Sequence, residues 1–236
     1  GIQGFGDAGM NSFNHYAYGA VGEWMYANIG GISMIENAYK RSNIAPVPGG
    51  GSVSAIVACL GAAMTAMVCN LTTGKEKYRD VEPHVQEINN SLSPLLAKLE
   101  YLVEEDMAEF QRFMSAYRLP RDTEEQKAAR EEALQGALRG STEIPLEIAR
   151  TCLVILQLTQ RLSGIGNKMA ISDAGVAATI TEAALNSVLL TASGNVPLIK
   201  DAAYAERVAA EITSLTAEAG QIKEEIMNVV RERMKS

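Results

Sequence analysis

From residue 52 onward the hydrophobic positions recur every three or four residues, the period of helices that pack by one face, and nowhere do they alternate as a strand would. Ser52 to Thr73 carries no charged residue and mixes Ala, Ser, Thr, Gly, Cys and Asn with Val, Leu and Met. It is long enough to span a bilayer, but its small residues suit close backbone approach at the centre of a soluble bundle, which is the expectation taken here. A stripe from Val85 through Leu92, Leu99, Leu102, Met107 and Phe110 to Met114 predicts one long amphipathic helix ending near Leu119-Pro120, with Glu104, Glu105 and Glu109 facing outward. Asp122 followed three residues later by Glu125 predicts a capping box and a new helix start. Pro145 is expected to kink or break that helix, leaving a second piece from Leu146 to about Leu162. Another Ala-rich helix is expected from about Ser172 to Thr191, interrupted only by Asp173 and Glu182; a turn at Ser193-Gly194-Asn195 then leads to a last amphipathic helix from Leu198 to Met234. The sum is an all-α bundle of about six helices.

Residues 1–45 differ in kind, rich in glycine and carrying Tyr16, Tyr18, Tyr26, Tyr39 and the only tryptophan, Trp24. They predict a separate amino-terminal segment, too short for an independent catalytic domain, before a helical domain over 46–236. Aromatics are only 6% of the chain, and 21 Lys+Arg against 28 Asp+Glu give a net charge of −7, the wrong sign for a general nucleic-acid binder. An anionic ligand must therefore find a local basic spot. The three cysteines, Cys59, Cys69 and Cys152, sit in apolar runs without metal-ligand spacing. They read as reduced core residues of a cytoplasmic protein, and no leader pattern opens the chain. His15 and His84 are the only histidines and have no partner at metal spacing, so neither a metal site nor a Ser-His-Asp arrangement is expected.

Candidate chemistry concentrates in a few places. Pro48-Gly49-Gly50-Gly51-Ser52 puts permissive glycines directly before a long helix, where backbone N–H groups can approach a ligand carboxylate or phosphate; the alternative is a tight turn into a buried helix. Asn70, Thr72 and Gly74 end that helix with hydrogen-bonding groups, and Lys75 and Tyr78 follow three apart on one face. Lys75 is a charge clamp or proton donor, or else a solvated lysine at a helix start. Asp106, Phe110 and Tyr117 share a face of the long helix; Asp106, at the edge of the apolar stripe, is a candidate general base or a boundary aspartate paired with a lysine. Asp173 and Glu182 invite the same two readings, and Asp173, with Ser172 before it, can simply cap its helix.

These motifs, taken in order, resemble one known family. The Gly-rich run to Ser52, then Asn70-Leu71-Thr72-Thr73-Gly74-Lys75-Glu76-Lys77-Tyr78, Asp106-Met107-Ala108-Glu109-Phe110, Ala116-Tyr117-Arg118-Leu119-Pro120 and Ile171-Ser172-Asp173-Ala174-Gly175 look like the methenyltetrahydrofolate cyclohydrolase and formiminotransferase-cyclodeaminase family over about residues 46–236. The resemblance implies an all-helical homodimer that binds a folate and needs no metal or cofactor. It also implies hydrolysis of 5,10-methenyltetrahydrofolate to 10-formyltetrahydrofolate. Lys75, Asp106 and Asp173 would be catalytic. Pro48, Gly49, Gly50, Gly51, Ser52, Asn70, Thr72, Gly74, Tyr78, Phe110, Tyr117 and Ser172 would bind substrate. Cyclodeamination of formiminotetrahydrofolate with release of ammonia is the nearest alternative, and a non-catalytic folate-binding or structural helical dimer is a second. Asn11 to Tyr26, with Tyr39-Lys40-Arg41 and Ile44-Ala45-Pro46, instead resemble the end of the helical barrel of bacterial alpha-L-rhamnosidases. The two resemblances meet at Pro48-Gly49-Gly50-Gly51, which suggests a fusion through a shared string. A glycosidase needs two opposed carboxylates, which this short segment does not supply.

Overall fold

The computed structural model describes residues 49–235 in full and the backbone of residues 32–34 and 42–44; Pro48, His15 and most of the amino-terminal segment lie outside the described residues. The chain divides into two units, Gly1–Gly49 and Gly50–Ser236. In the first, β1 (Ile32–Met34) and β2 (Ser42–Ile44) pair antiparallel with Ile32 opposite Ile44. The second is helical throughout: α1 (Gly50–Thr72), α2 (Glu82–Tyr117), α3 (Glu124–Ile165), α4 (Ile171–Asn195) and α5 (Ala202–Lys235), joined by short 3-10 turns.

Helices α1 to α4 form an up-and-down ring in which α1 also meets α4, and α5 lies against α3 and α4. The core is the aliphatic face of α2 through Leu99 and Leu102, the Leu146–Leu162 stretch of α3 and the small residues of α1 and α4. Small residues allow α1 and α4 to cross closely: a Cβ at Gly61 would overlap Thr181 Oγ1. Buried threonines keep their hydroxyls satisfied by donating to the carbonyl four residues back, as Thr65 does to Gly61 (3.1 Å) and Thr181 to Ala177 (2.7 Å). Thr65 and Thr159 also bond each other across α1 and α3 at 2.8 Å.

The bundle has five long α-helices rather than about six, because Pro145 lies inside an unbroken 42-residue α3. Proline withholds the donor that the Ser141 carbonyl would otherwise receive, and the Asn195 side-chain amide donates to that carbonyl instead, at 3.0 Å. The same residue places the expected Ser193–Asn195 turn within α4, which continues to Asn195. The cap of α3 is shifted by one residue: Thr123 accepts from Gln126 N, and the Gln126 side chain returns to the Thr123 N–H. Two expectations for α2 are corrected. Its stripe leaves the core after Leu102, so Phe110 is exposed, and Glu109 faces inward.

An ion-pair network clasps α2, α3 and α5. Arg150 reaches Glu211 (2.6 Å), Glu147 (2.8 Å) and Glu143 (3.5 Å), Lys98 pairs with Glu147, and Arg207 pairs with Glu143 and Glu211. Hydrogen bonding from Lys98, opposed by partial burial and reinforced by Arg150, holds the Glu147 carboxyl below its ordinary value. Partial burial works against Glu143 as well, yet hydrogen bonds from Arg207 and Tyr204 keep it low. The free thiols move the other way: burial pushes Cys69 and Cys152 up to about 12, and burial with the Glu100 charge pushes Cys59 to about 11.

Helix α1 and the stretch Lys168–Leu198 are each long and apolar enough to cross a membrane, yet about half of each, 56% and 50%, is buried inside the bundle. The remaining surface leaves Leu60, Met67 and Leu71 of α1 and Val176 and Leu190 of α4 exposed, Leu190 at 74%.

Two stability measurements follow from this packing. Gly61→Val should cost about 2 kcal/mol, the usual scale of core overpacking, read as a lower urea midpoint with an unchanged slope. Because Glu143 and Glu147 titrate lower in the folded chain than in the unfolded one, their contribution is present above the ordinary value of 4.5 and is lost as pH falls through the folded values. Glu147→Gln should therefore melt lower than the parent near neutrality and lose less melting temperature between about pH 5 and about pH 3.

Candidate functional site

The sequence-derived residues gather at two ends of α1. At its amino end, the glycine run brings the first turn against α2: Ser52 Oγ donates to Asp106 Oδ2 at 2.6 Å, and Ser52 is fully buried. Gly51 is required here, because a Cβ would overlap the Asp106 carboxylate. Gly49 and Gly50 are exposed, with no such crowding. The half-buried Asp106 therefore stands as a fixed anion at the positive end of a 23-residue helix, with Oδ1 free of hydrogen bonds among the described residues. The helix start that could cradle a ligand's anion holds the chain's own carboxylate. Phe110 and Tyr117 continue along the same helix and are exposed; Tyr117 stacks on Phe113 and is gripped by Arg130, which donates to its carbonyl and lies 5.0 Å from its ring centre.

At the carboxyl end, Gly74 has a φ of 75°, the left-handed conformation that ends a helix and that glycine adopts without strain. The chain then enters a 3-10 turn, Glu76–Val81, and Tyr78 folds back so that its hydroxyl donates to Asn167 Oδ1 (3.3 Å) and accepts from Lys168 N (2.9 Å). Thr72 donates to Val68 O and accepts from Asn167 N at 2.8 Å, while Asn167 Nδ2 donates to Leu71 O. Thr72 and Tyr78 thus fasten the end of α1 to the start of α4. Asn167, nearly fully buried, is the centre of this knot. Sequence reading missed its role; its only signal was an asparagine after the glycines that end α3.

Around the knot stand Lys75 and Asn70, both exposed, with Asn70 accepting from Asn89 at 2.9 Å. Helix α4 begins at Ile171, so Ser172 and Asp173 lie within its first turn and neither is the cap. Ser172 is exposed and Asp173 half-buried. In one chain Asp106 stands at the amino end of α1 and Lys75 just past its carboxyl end, about 35 Å apart at the helical rise; Asp173 lies in the first turn of α4, which the Asn167 knot ties to that carboxyl end. Among the described residues no group of His, Cys, Asp and Glu is placed to hold a metal ion.

One other arrangement, around Glu109, escaped the sequence reading. Glu109 is buried against Gly140 and paired with Arg112, at the wall of a groove between α2 and α3. Glu182, the second carboxylate of α4 after Asp173, accepts from the Asn186 amide at 2.8 Å.

Comparison with known proteins places this architecture. Over 190 residues the chain is 39% identical to methenyltetrahydrofolate cyclohydrolase of Methylorubrum extorquens, covering 80% of this chain and 91% of that one. A crystal structure of formiminotetrahydrofolate cyclodeaminase from Thermotoga maritima superposes with a TM-score of 0.72 at 26% identity, covering 80% of this chain and 90% of that one. A separate likeness, 60% identity over 52 residues, links 22% of this chain to 5% of an alpha-L-rhamnosidase of Streptomyces avermitilis. The formiminotransferase-cyclodeaminase family model matches residues 36–214, across the glycine run, Asp106, the Asn167 knot and Asp173, and the chain belongs to that family.

Proposed function

We propose that this chain hydrolyses 5,10-methenyltetrahydrofolate to 10-formyltetrahydrofolate. The observation that carries the reading is the fixed Asp106 anion at the glycine-rich start of α1. The substrate's bridging carbon lies between two ring nitrogens that share a positive charge, so it is already electrophilic, and an anchored carboxylate answers that charge. Water adds its oxygen to the bridging carbon and gives a proton to a base; as the bond from that carbon to N5 then breaks, N5 takes up a proton from a general acid, the carbinol hydroxyl returns its remaining proton to that acid, and the formyl group remains on N10, with one proton released overall. Asp106, with Oδ2 held by Ser52 and Oδ1 open, would act as that base. Lys75 would supply the proton to N5, and Asp173 would orient it. No metal or organic cofactor enters this scheme.

Lys75 and Asp173 stand at the far end of α1 from Asp106, so a single site containing all three requires a second copy. A homodimer pairing the α1–α4 faces antiparallel would bring the amino end of one α1 to the carboxyl end of the other. It would also cover the exposed Leu60, Met67 and Leu190.

The similarity to a structure described as a cyclodeaminase favours a second reading, closure of formiminotetrahydrofolate to the methenyl compound with loss of ammonia. Both reactions pass through the same cation, so an anion at Asp106 serves either, and ammonia release separates them.

Near-ultraviolet absorbance of 5,10-methenyltetrahydrofolate should fall faster with the protein than in buffer, with 10-formyltetrahydrofolate as product. Asp106→Asn should lower turnover about 10²–10⁴-fold, with a much smaller change in KM. Gly51→Ala, which displaces the carboxylate without removing it, should lower turnover in the same direction. A parent that releases ammonia from the formimino substrate but leaves the methenyl compound at its spontaneous rate would replace the first reading by the second.

The dimer has its own test. Leu190→Asp should convert the parent dimer to a monomer of unchanged helical content in sedimentation, and turnover should fall at least about tenfold. A fully active monomer would sink the shared site.

A further inference from the structure

Helices α2 and α3 leave between them a groove of about 730 Å³, the size range of small-molecule sites. Its floor is made by Gly136, Ala137 and Gly140 of α3, and its far edge by Leu119. Packing does not explain the glycine at 136, because a Cβ there would meet nothing within 4 Å. Gly140 is the opposite case: a Cβ there would overlap the Glu109 carboxylate. Among the described residues Glu109 is the one charged residue that is buried, at 8% exposure, and it holds the guanidinium of Arg112 at the groove wall. One nitrogen of Arg112 is engaged by Glu109, and the side chain is 65% exposed, so its remaining donors are fixed in direction and open. Further along, Arg118 and Arg121 are exposed and carry no ion pair among the described residues.

The geometry points to this groove as the subsite for the aryl-glutamate arm of a folate, with Arg112 taking the glutamate carboxylate. The inference rests on the folate reading above and deepens it. Glu109 follows Asp106 by three residues on one helix face, and Arg112 follows it by six, about 9 Å along the axis. That separation is comparable to the reach of a benzoyl amide from the reacting nitrogen to its amino-acid carboxylate. The flat ring meets a floor of glycine and alanine with Leu119 at its edge, and the anionic end meets a guanidinium already oriented by a buried partner. Glu109 is a positioning residue here, because it acts on the ligand only through Arg112.

The test compares 5,10-methenyltetrahydrofolate with the corresponding pteroate, which lacks the glutamate. The parent should favour the glutamate-bearing substrate by about tenfold in KM, the scale of one hydrogen-bonded charge contact, and Arg112→Gln should abolish that preference. Arg112→Lys should restore part of it. The double variant Glu109→Gln/Arg112→Gln leaves neither charge unpaired, and should show the same lost preference with a melting temperature near the parent's. Calorimetric binding of para-aminobenzoyl-glutamate needs no turnover: the parent should bind it and the double variant should not. An equal preference in parent and double variant, or equal binding of the aryl-glutamate, overturns the subsite. Aryl-glutamate binding that depends on Arg112, in a protein that converts neither folate, would overturn the catalytic reading and leave the groove assignment standing.

Discussion

Helix α1 carries no charged side chain from Gly50 to Thr72, so it has no face that can serve as the solvated side of a surface helix, and the rest of the domain is arranged around that constraint. Its small residues permit a close crossing with α4 at Gly61, where the hydroxyl of Thr181 occupies the space a Cβ would take. The polar groups inside this dry contact are threonines that bond their own helix, so the contact needs no water. Once α1 and α4 pack in this way, α2 and α3 cover one side and α5 covers part of α4. The two ends of α1 then become the places where irregular backbone, and with it the candidate chemistry, can sit.

At the amino end the physical logic is electrostatic. A helix start with three glycines exposes N–H groups, and such a site draws an anion. Here the anion is supplied in cis by Asp106, held by Ser52 and admitted by the missing side chain at Gly51. The consequence is a reversal of ligand polarity: a site that would attract a phosphate if empty presents a carboxylate, suited to a cationic ring. At the carboxyl end the logic is mechanical. Asn167 ties Thr72, Leu71 and Tyr78 together, so the residues beside it inherit their positions from a buried knot rather than from a free loop.

The helical class was legible because one-faced burial has a period, and the run from Asn70 to Tyr78 was legible as the polar end of α1 because its residues are local in sequence. What escaped depends on contacts distant in sequence. Pro145 reads as a break because the residue that satisfies Ser141, Asn195, lies 54 positions away. Glu109 reads as a surface acid because its neighbours are acidic, and only the glycine at position 140 on another helix makes room for it. Phe110 fits the periodicity of the core, yet its side chain is exposed. Tyr78 and Thr72 were singled out for substrate, whereas their hydroxyls are engaged in joining α1 to α4.

The groove between α2 and α3 is where the sequence departs most from what stability alone would favour. Glycines at 136 and 140 inside α3 each cost about 0.5–1 kcal/mol relative to alanine. Burying a carboxylate costs more unless its partner is well placed, and an apolar pair of similar volume would pack at least as well as Glu109 with Arg112. Gly140 is compensated by Glu109, and Glu109 by Arg112, but among the described residues nothing compensates Gly136, whose Cβ position meets no atom within 4 Å. Departures from local rules that cluster along one groove, beside a carboxylate already fixed by the core helix, are what a binding surface requires: a smooth floor, a directed cation and no side chain in the way.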